Sequence, residues 1–423
     1  MHANARLIVP AVLLLAGCAT RSPAPVDIAM LEGMLRADSA SVPARLQLAA
    51  AYARAGDAGR AVPLLEPVVR ADSSDAAASF YLGMGYEADE RYAEARTLYE
   101  RFVDSRAPAS LRRRIDERLD LLARLELRSA VRASIAQERA LAEVSPSPLV
   151  VGVFPFLMAG DTALRPLGRA LAELLTTDLG QTSRLRVVER ARVQMLLDEL
   201  ELGASRYADP ATAARTGRIV GAANLVQGRI DGGESDLAVQ AVVVATTRPD
   251  STVDPLRQQG GIGRLFDMEK QIALAVYDRL GIQLTAAERQ RVNRRATENI
   301  QALLAFGFGL EARDAGRYAE AAQHFALARQ LDPGFDRAAQ LGEETLREAA
   351  AASFTTQQIA GLAADDFDLD LTSFQRNQLG LEFLETLIPT PLLRDPSVEV
   401  LGTEGIGRGT VVDIVIRRPG GTP

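Results

Sequence analysis

Apolar positions follow helical spacing over most of this chain; only its middle and its extreme carboxy terminus read as strands. Leu48, Ala49, Tyr52, Gly56, Ala61 and Leu65 return 34 residues later as Leu82, Gly83, Tyr86, Glu90, Ala95 and Tyr99. A large apolar residue, a small one, an aromatic, a turn, an alanine and another large residue describe two antiparallel helices. The small side chains let the helices approach, and the large ones fill the space between them. One such pair cannot bury its apolar face alone, so units stack. A third copy lies downstream, where Phe308, Gly309, Gly316, Ala321, Phe325, Ala328 and Pro333 hold the same offsets. In it Gly307 and Gly309 read as helix-packing glycines, and His324, beside Phe325, as a partly exposed helical histidine.

Between these repeats the pattern changes twice. Leu111, Ile115, Leu119, Leu122, Leu125, Val131 and Ile135 form a drifting helical stripe, predicting one or two long connecting helices over residues 108–145. Residues 145–148 (SPSP) end it, because proline lacks the amide donor and pushes its predecessor out of helical geometry. Strand and helix then alternate. Residues 149–156 (LVVGVFPF), 185–189, 225–230 and 237–246 are predicted strands. Leu164, Leu167, Leu171, Leu174, Leu175 and Leu179 mark one helix, and Val193, Leu196, Leu197 and Leu200 a second. Asp209 and Pro210 start a third. Leu265, Met268, Ile272, Val276 and Leu280 mark a fourth, stopped by Gly281. Thr285 and Glu288 form a capping box for the next.

At the amino terminus, Arg6 precedes an apolar run over residues 7–16 and then Gly17 and Cys18. A run of about ten residues is too short for a helix that spans a bilayer, which needs about 20, so it reads as a secretory signal. Residues 19–27 are small, polar and proline-rich, as a tether requires. The net charge of −7 and the isoelectric point near 5.3 argue against a nucleic-acid partner. Lys270 is the only lysine and Cys18 the only cysteine, so no disulfide framework competes for that thiol. With His324 as the one histidine beyond the signal, neither a histidine triad nor a metal cluster is expected. No nucleophile elbow, zinc-helix motif, phosphate loop or dinucleotide fingerprint occurs. The chain therefore reads as non-enzymatic, with no cofactor.

Three resemblances organise these observations. The 34-residue period resembles the tetratricopeptide repeat. Residues 15–18 (LAGC) resemble the lipobox of bacterial lipoproteins, which implies lipidation of Cys18; Ala19 in the following position implies sorting to the outer membrane, periplasmic face. The order VGVFPF, helix, RVVER, LLDELELG and GAANLVQGRI resembles the CsgG, FlgO and TolB amino-terminal superfamily of envelope proteins over about residues 149–284. That superfamily's domain is a binding and assembly module. A pore of the curli type would need about 40 residues of extra spanning strand. Residues 225–262 amount to 38 in all, and residues 247–263 are polar without alternation, so an autonomous pore is not expected.

The expected fold class is α+β multidomain. Its parts are a signal peptide (1–18), a tether (19–27), tetratricopeptide repeats (28–107), connecting helices (108–145), an α/β mixed-sheet domain (149–284), a helical segment (285–352) with a repeat at about 301–334, and a tail (353–423). The repeat-packing residues are Leu48, Tyr52, Ala61, Leu82, Gly83, Tyr86, Ala95, Phe308, Gly309, Ala321, Phe325 and Pro333. In the tail, Asp365, Asp366, Asp368 and Asp370 lack the glycine and distant glutamate of a calcium loop and read as a solvated linker. Gly402, Gly405, Gly407 and Gly409 read as a turn feeding a short terminal strand. The expected role is an interaction scaffold for envelope proteins, membrane-bound through Cys18. The alternatives are a subunit of a homo-oligomeric outer-membrane secretion complex and a lipoprotein activator of a cell-wall enzyme.

Overall fold

The structure, a computed structural model, describes residues 28–141, 146–202, 210–247 and 254–367. It is α+β: helical hairpins flank a mixed sheet. Cys18, the tether, Asp368, Asp370 and the glycine-rich segment lie outside the described residues.

The amino-terminal helices are α1 (Ile28–Ala37), α2 (Val42–Ala55), α3 (Val62–Ala71), α4 (Ala76–Ala88), α5 (Tyr92–Val103) and α6 (Ala109–Ala136), followed by the single turn α7 (Glu138–Leu141). Local chemistry sets their ends. Ser41 and Asp75 accept the amides of Ala44 and Ala78 and so cap α2 and α4. The turn between the paired helices is left-handed in every unit: Gly56 (φ 87°), Glu90 (φ 58°) and, in the third, Gly316 (φ 75°). Close approach is equally systematic. A Cβ on Gly83 would sit 2.5 Å from the Tyr99 ring, and one on Gly309 2.6 Å from the Phe325 ring.

A side-chain motif repeats with the helices. Tyr52 donates to Glu32 at 2.7 Å while Arg60 lies 4.0 Å over the tyrosine ring. Tyr86 donates to Glu66 at 2.9 Å while Arg91 lies 4.0 Å over its ring. Glu32 and Glu66 keep the 34-residue offset of the tyrosines, so α1 belongs to the same repeat system. Burial, followed by the bond to Glu32, pushes the Tyr52 phenol up to about 12.

The α/β unit begins with β1 (Val150–Val153) and β2 (Leu157–Met158), then α8 (Leu167–Leu179), β3 (Arg186–Val187), α9 (Arg190–Glu199) and α10 (Pro210–Val220). It ends with β4 (Asn224–Asp231), β5 (Leu237–Ala245), β6 (Leu256–Gly260), α11 (Leu265–Arg279) and α12 (Ala286–Val292). The strand order is β3-β1-β4-β5-β6, with β2 pairing the far end of β4. β1 is parallel to β3 and β4, whereas β4, β5 and β6 are antiparallel. The expected strand at 149–156 is split: after β1, Phe154 donates to Val226 and Phe156 to Gly168, and the chain re-enters the sheet only as β2. The polar residues 256–260 nonetheless form β6, an edge strand paired on one side to β5, where exposed polar side chains are tolerated.

One sheet face packs on α8 and α11, the other on α9, α10 and the distal half of α6. The carboxy-terminal repeat consists of α13 (Ile300–Asp314), α14 (Tyr318–Leu331) and α15 (Asp336–Ala352). It joins the first face directly: a Cβ on Gly307 would lie 2.3 Å from the carbonyl of Pro166, and Phe306, Phe325 and Phe335 share one apolar cluster with Val151, Leu171 and Ile272. Finally α16 (Thr356–Asp366) leaves α15 and lies on α2, α4 and α6.

Candidate functional site: a charged junction cleft

Helices α6, α8, α9, α13 and α15 converge on a cleft of about 380 Å³ in which Arg124, Arg190, Arg313 and Arg337 face Asp120, Glu173, Glu189, Glu344 and Glu348. Arg190 is its centre. β3 delivers the chain into the site, Glu189 turns it, and Arg190 opens α9 with its side chain buried. Its Nη1 and Nη2 donate to the two Asp314 carboxylate oxygens, each at 2.9 Å, and its Nε donates to Glu173 at 2.9 Å. The fork satisfies two carboxylates from two different helices, a geometry that guanidinium supplies and ammonium does not. Arg337 of α15 donates to the other Glu173 oxygen at 2.9 and 2.6 Å. Arg313 donates to Glu348 at 2.9 and 2.7 Å and to Glu344 at 3.1 Å.

The electrostatics follow from burial and pairing. Desolvation raises the carboxyl pKa of Glu173, but Arg190 and Arg337 outweigh it and hold the group below its usual range. Asp314 behaves likewise: burial raises it, and Arg190 more than reverses the effect. Both are fixed as carboxylates. Thr176 and Thr177 also line the cleft, yet their hydroxyls donate to the carbonyls of Ala172 and Glu173 within α8. The cleft thus holds ion pairs that tie α8, α9, α13 and α15 together, and hydroxyls committed to helix carbonyls. Among the described residues, no cluster of histidine, cysteine, aspartate and glutamate is suited to hold a metal.

A second buried cluster lies between α8 and α11. Lys270 Nζ is 2.5 Å from Asp178 and 3.1 Å from Glu269. Two carboxyls share one ammonium here. Burial and the neighbouring Asp178 push Glu269 well above its ordinary value.

The repeat-packing residues are dispersed along the helices. Leu48, Tyr52, Ala61, Leu82 and Ala95 are buried between the amino-terminal helices, and Ala321 and Phe325 between the carboxy-terminal ones. Gly83 and Gly309 are the close-approach points, and Tyr86 is half-buried under Arg91. Phe308 is 41% exposed and stacks on His324 with centroids 5.5 Å apart, because α13 turns Phe306 and Gly307 inward toward the core and α8. Pro333 is exposed in the turn between α14 and α15. The sequence motif containing Arg190 is evident, but its partners Glu173 and Asp314 lie 17 and 124 residues away, and Arg337 reaches Glu173 across 164. No local pattern couples them.

Residues 153–238 match a family model described as curli production assembly/transport component CsgG. No curated protein and no solved structure matches the chain. Among the described residues, no helix is long and apolar enough to cross a membrane.

Proposed function

We propose that this chain is a lipid-anchored envelope scaffold: Cys18 carries the lipid at the periplasmic face of the outer membrane, and the repeats and the α/β unit dock other envelope proteins during assembly or secretion. The observation that carries this reading is the CsgG-family match at residues 153–238, in a unit joined by arginine–carboxylate pairs to the carboxy-terminal helical repeat. Helical repeats before and after the α/β unit in the chain offer surfaces on which partner proteins dock. The leader ending at Cys18 supports the anchor.

The test is in vivo crosslinking of the full-length chain in its native envelope, followed by affinity capture and mass spectrometry. Recovery of the same envelope assembly or secretion proteins in replicate captures, with the amino-terminal peptide beginning at an acylated Cys18, is the expected result. Cys18→Ala is expected to leave an unacylated, unprocessed precursor. Recovery of the chain from cytosol with its leader unmodified would overturn the anchor, and capture of the chain alone would overturn the scaffold.

A further inference from the structure

A cleft of about 740 Å³ opens at the edge of the amino-terminal repeats, between the α3–α4 turn, the first turns of α4 and the α5–α6 turn. Its volume lies in the range of small-molecule sites, about 300–1,000 Å³. Phe102, 1% exposed, and Phe367, just past α16, supply aromatic walls, their ring centroids 6.3 Å apart. The charged side chains that line it are Arg101, near the end of α5, and Arg106, in the turn that follows.

Three features distinguish it from the junction cleft. First, its arginines are unpaired. In the junction cleft Arg190, Arg313 and Arg337 each meet a carboxylate within 2.9 Å. Arg101 instead donates its Nε to the Thr97 carbonyl at 3.4 Å and leaves both Nη groups free, and Arg106 has no partner among the described residues. The carboxylates of the adjoining turn are engaged within it: Asp72 accepts from Ser74 N at 2.9 Å and Ser74 Oγ at 2.6 Å, and Asp75 from Ala78 N at 2.9 Å. Second, Ser79 of α4 is 3% exposed and lines the cleft, yet its hydroxyl has no hydrogen-bond partner among the described residues. Helical hydroxyls elsewhere, those of Thr97, Ser134 and Thr216, donate to the carbonyl four residues earlier. A buried hydroxyl without a partner is destabilising, and a ligand that accepts its proton restores the missing bond. Third, donors come from four segments: Ser73 in the α3–α4 turn, Ser79 on α4, Arg101 on α5 and Arg106 in the α5–α6 turn. A carboxylate offers two oxygens in one plane. A phosphate ester spreads its acceptor oxygens tetrahedrally and also matches guanidinium forks.

We propose that this cleft binds a phosphate ester. The phosphoryl oxygens lie among Arg101, Arg106 and the Ser79 hydroxyl, and the apolar substituent lies against Phe102 and Phe367. The site belongs to the repeats themselves and goes beyond the scaffold reading, on which it does not depend. A phospholipid headgroup and a soluble phosphate monoester share this chemistry.

The test is isothermal titration calorimetry on the full-length chain, with phenyl phosphate, dihexanoyl phosphatidylglycerol below its micelle concentration, inorganic phosphate and benzoate as probes. One of the two esters is expected to bind about tenfold or more tightly than inorganic phosphate and benzoate. Preference for phenyl phosphate assigns the site to a soluble ester, and preference for the short-chain lipid to a headgroup; either supports the proposal. Arg101→Ala combined with Arg106→Ala alters two exposed side chains. The pair is expected to leave the melting midpoint unchanged and to weaken the preferred ester about tenfold or more. Ser79→Ala is expected to weaken it too, with helical circular dichroism intact. Should the double variant lose that signal, Arg106→Gln alone carries the same test. Failure of both esters to bind would overturn the proposal, as would unchanged affinity in the folded arginine variants. Benzoate binding as tightly as the esters would make this a carboxylate site, and inorganic phosphate binding as tightly would leave the aromatic walls without a role; both count against it.

Discussion

Glu90 adopts a left-handed backbone at the position where the other two units place Gly56 and Gly316. A side chain there costs about 1–2 kcal/mol, of which the extra entropy of glycine in the unfolded chain takes back about 0.5–1. Glu90→Gly is therefore expected to raise the midpoint of chemical denaturation modestly; an unchanged or lowered midpoint would show that Glu90 is not strained. Glu269 makes a prediction of opposite character. Its carboxyl is raised by burial and by Asp178, so the folded state holds the proton more tightly than the unfolded one. Its contribution is complete below the ordinary value of 4.5 and is lost as pH rises through the raised folded value. As pH rises above that ordinary value, wild type should lose stability that Glu269→Gln keeps. Parallel denaturation profiles for the two proteins would refute this.

Helix pairing rests on small residues under rings. Ala321 is fully buried on α14 within the apolar cluster that holds Phe306 and Phe325. Ala321→Arg overpacks a helix crossing at a cost of about 1–3 kcal/mol, and its buried charge adds to that. The thermal midpoint should fall clearly; unchanged melting would mean that the helix pair does not pack as described. Here the sequence is highly legible, because the period of 34 records one packing problem solved repeatedly. The strands were less so. Residues 185–189 yield only the two-residue β3, and polar residues 256–260 yield β6. An edge strand takes its hydrogen bonds from a neighbour and needs no apolar alternation of its own.

At the scale of the whole molecule, the Arg190 fork holds the carboxy-terminal repeat in register with the α/β unit. Removing one partner of a buried pair leaves an uncompensated charge and costs about 3–5 kcal/mol. Asp314→Ala should therefore destabilise the protein by that order in calorimetry. Limited proteolysis should then separate the carboxy-terminal repeat from the α/β unit. A variant that melts and digests as wild type does would show that the fork does not join them. Asp314 and Glu173 also oppose Glu269 in pH dependence. Their lowered values make a contribution that is present above the ordinary carboxyl range and lost as pH falls below it.

The sequence alone determined what depends on near neighbours. The helix pairs with their small and aromatic positions, the left-handed turns, the capping box at Thr285 and Glu288 and the hairpin of β4 and β5 all arise from residues a few places apart or one repeat apart. Tertiary structure decided what depends on distant groups meeting. Arg190 finds Asp314 across 124 residues, Tyr81 meets Ala360 across 279, and Phe308 is left outside because its helix turns another face to α8. Side-chain charge and size are written locally, but which groups lose water together is set only when the elements pack.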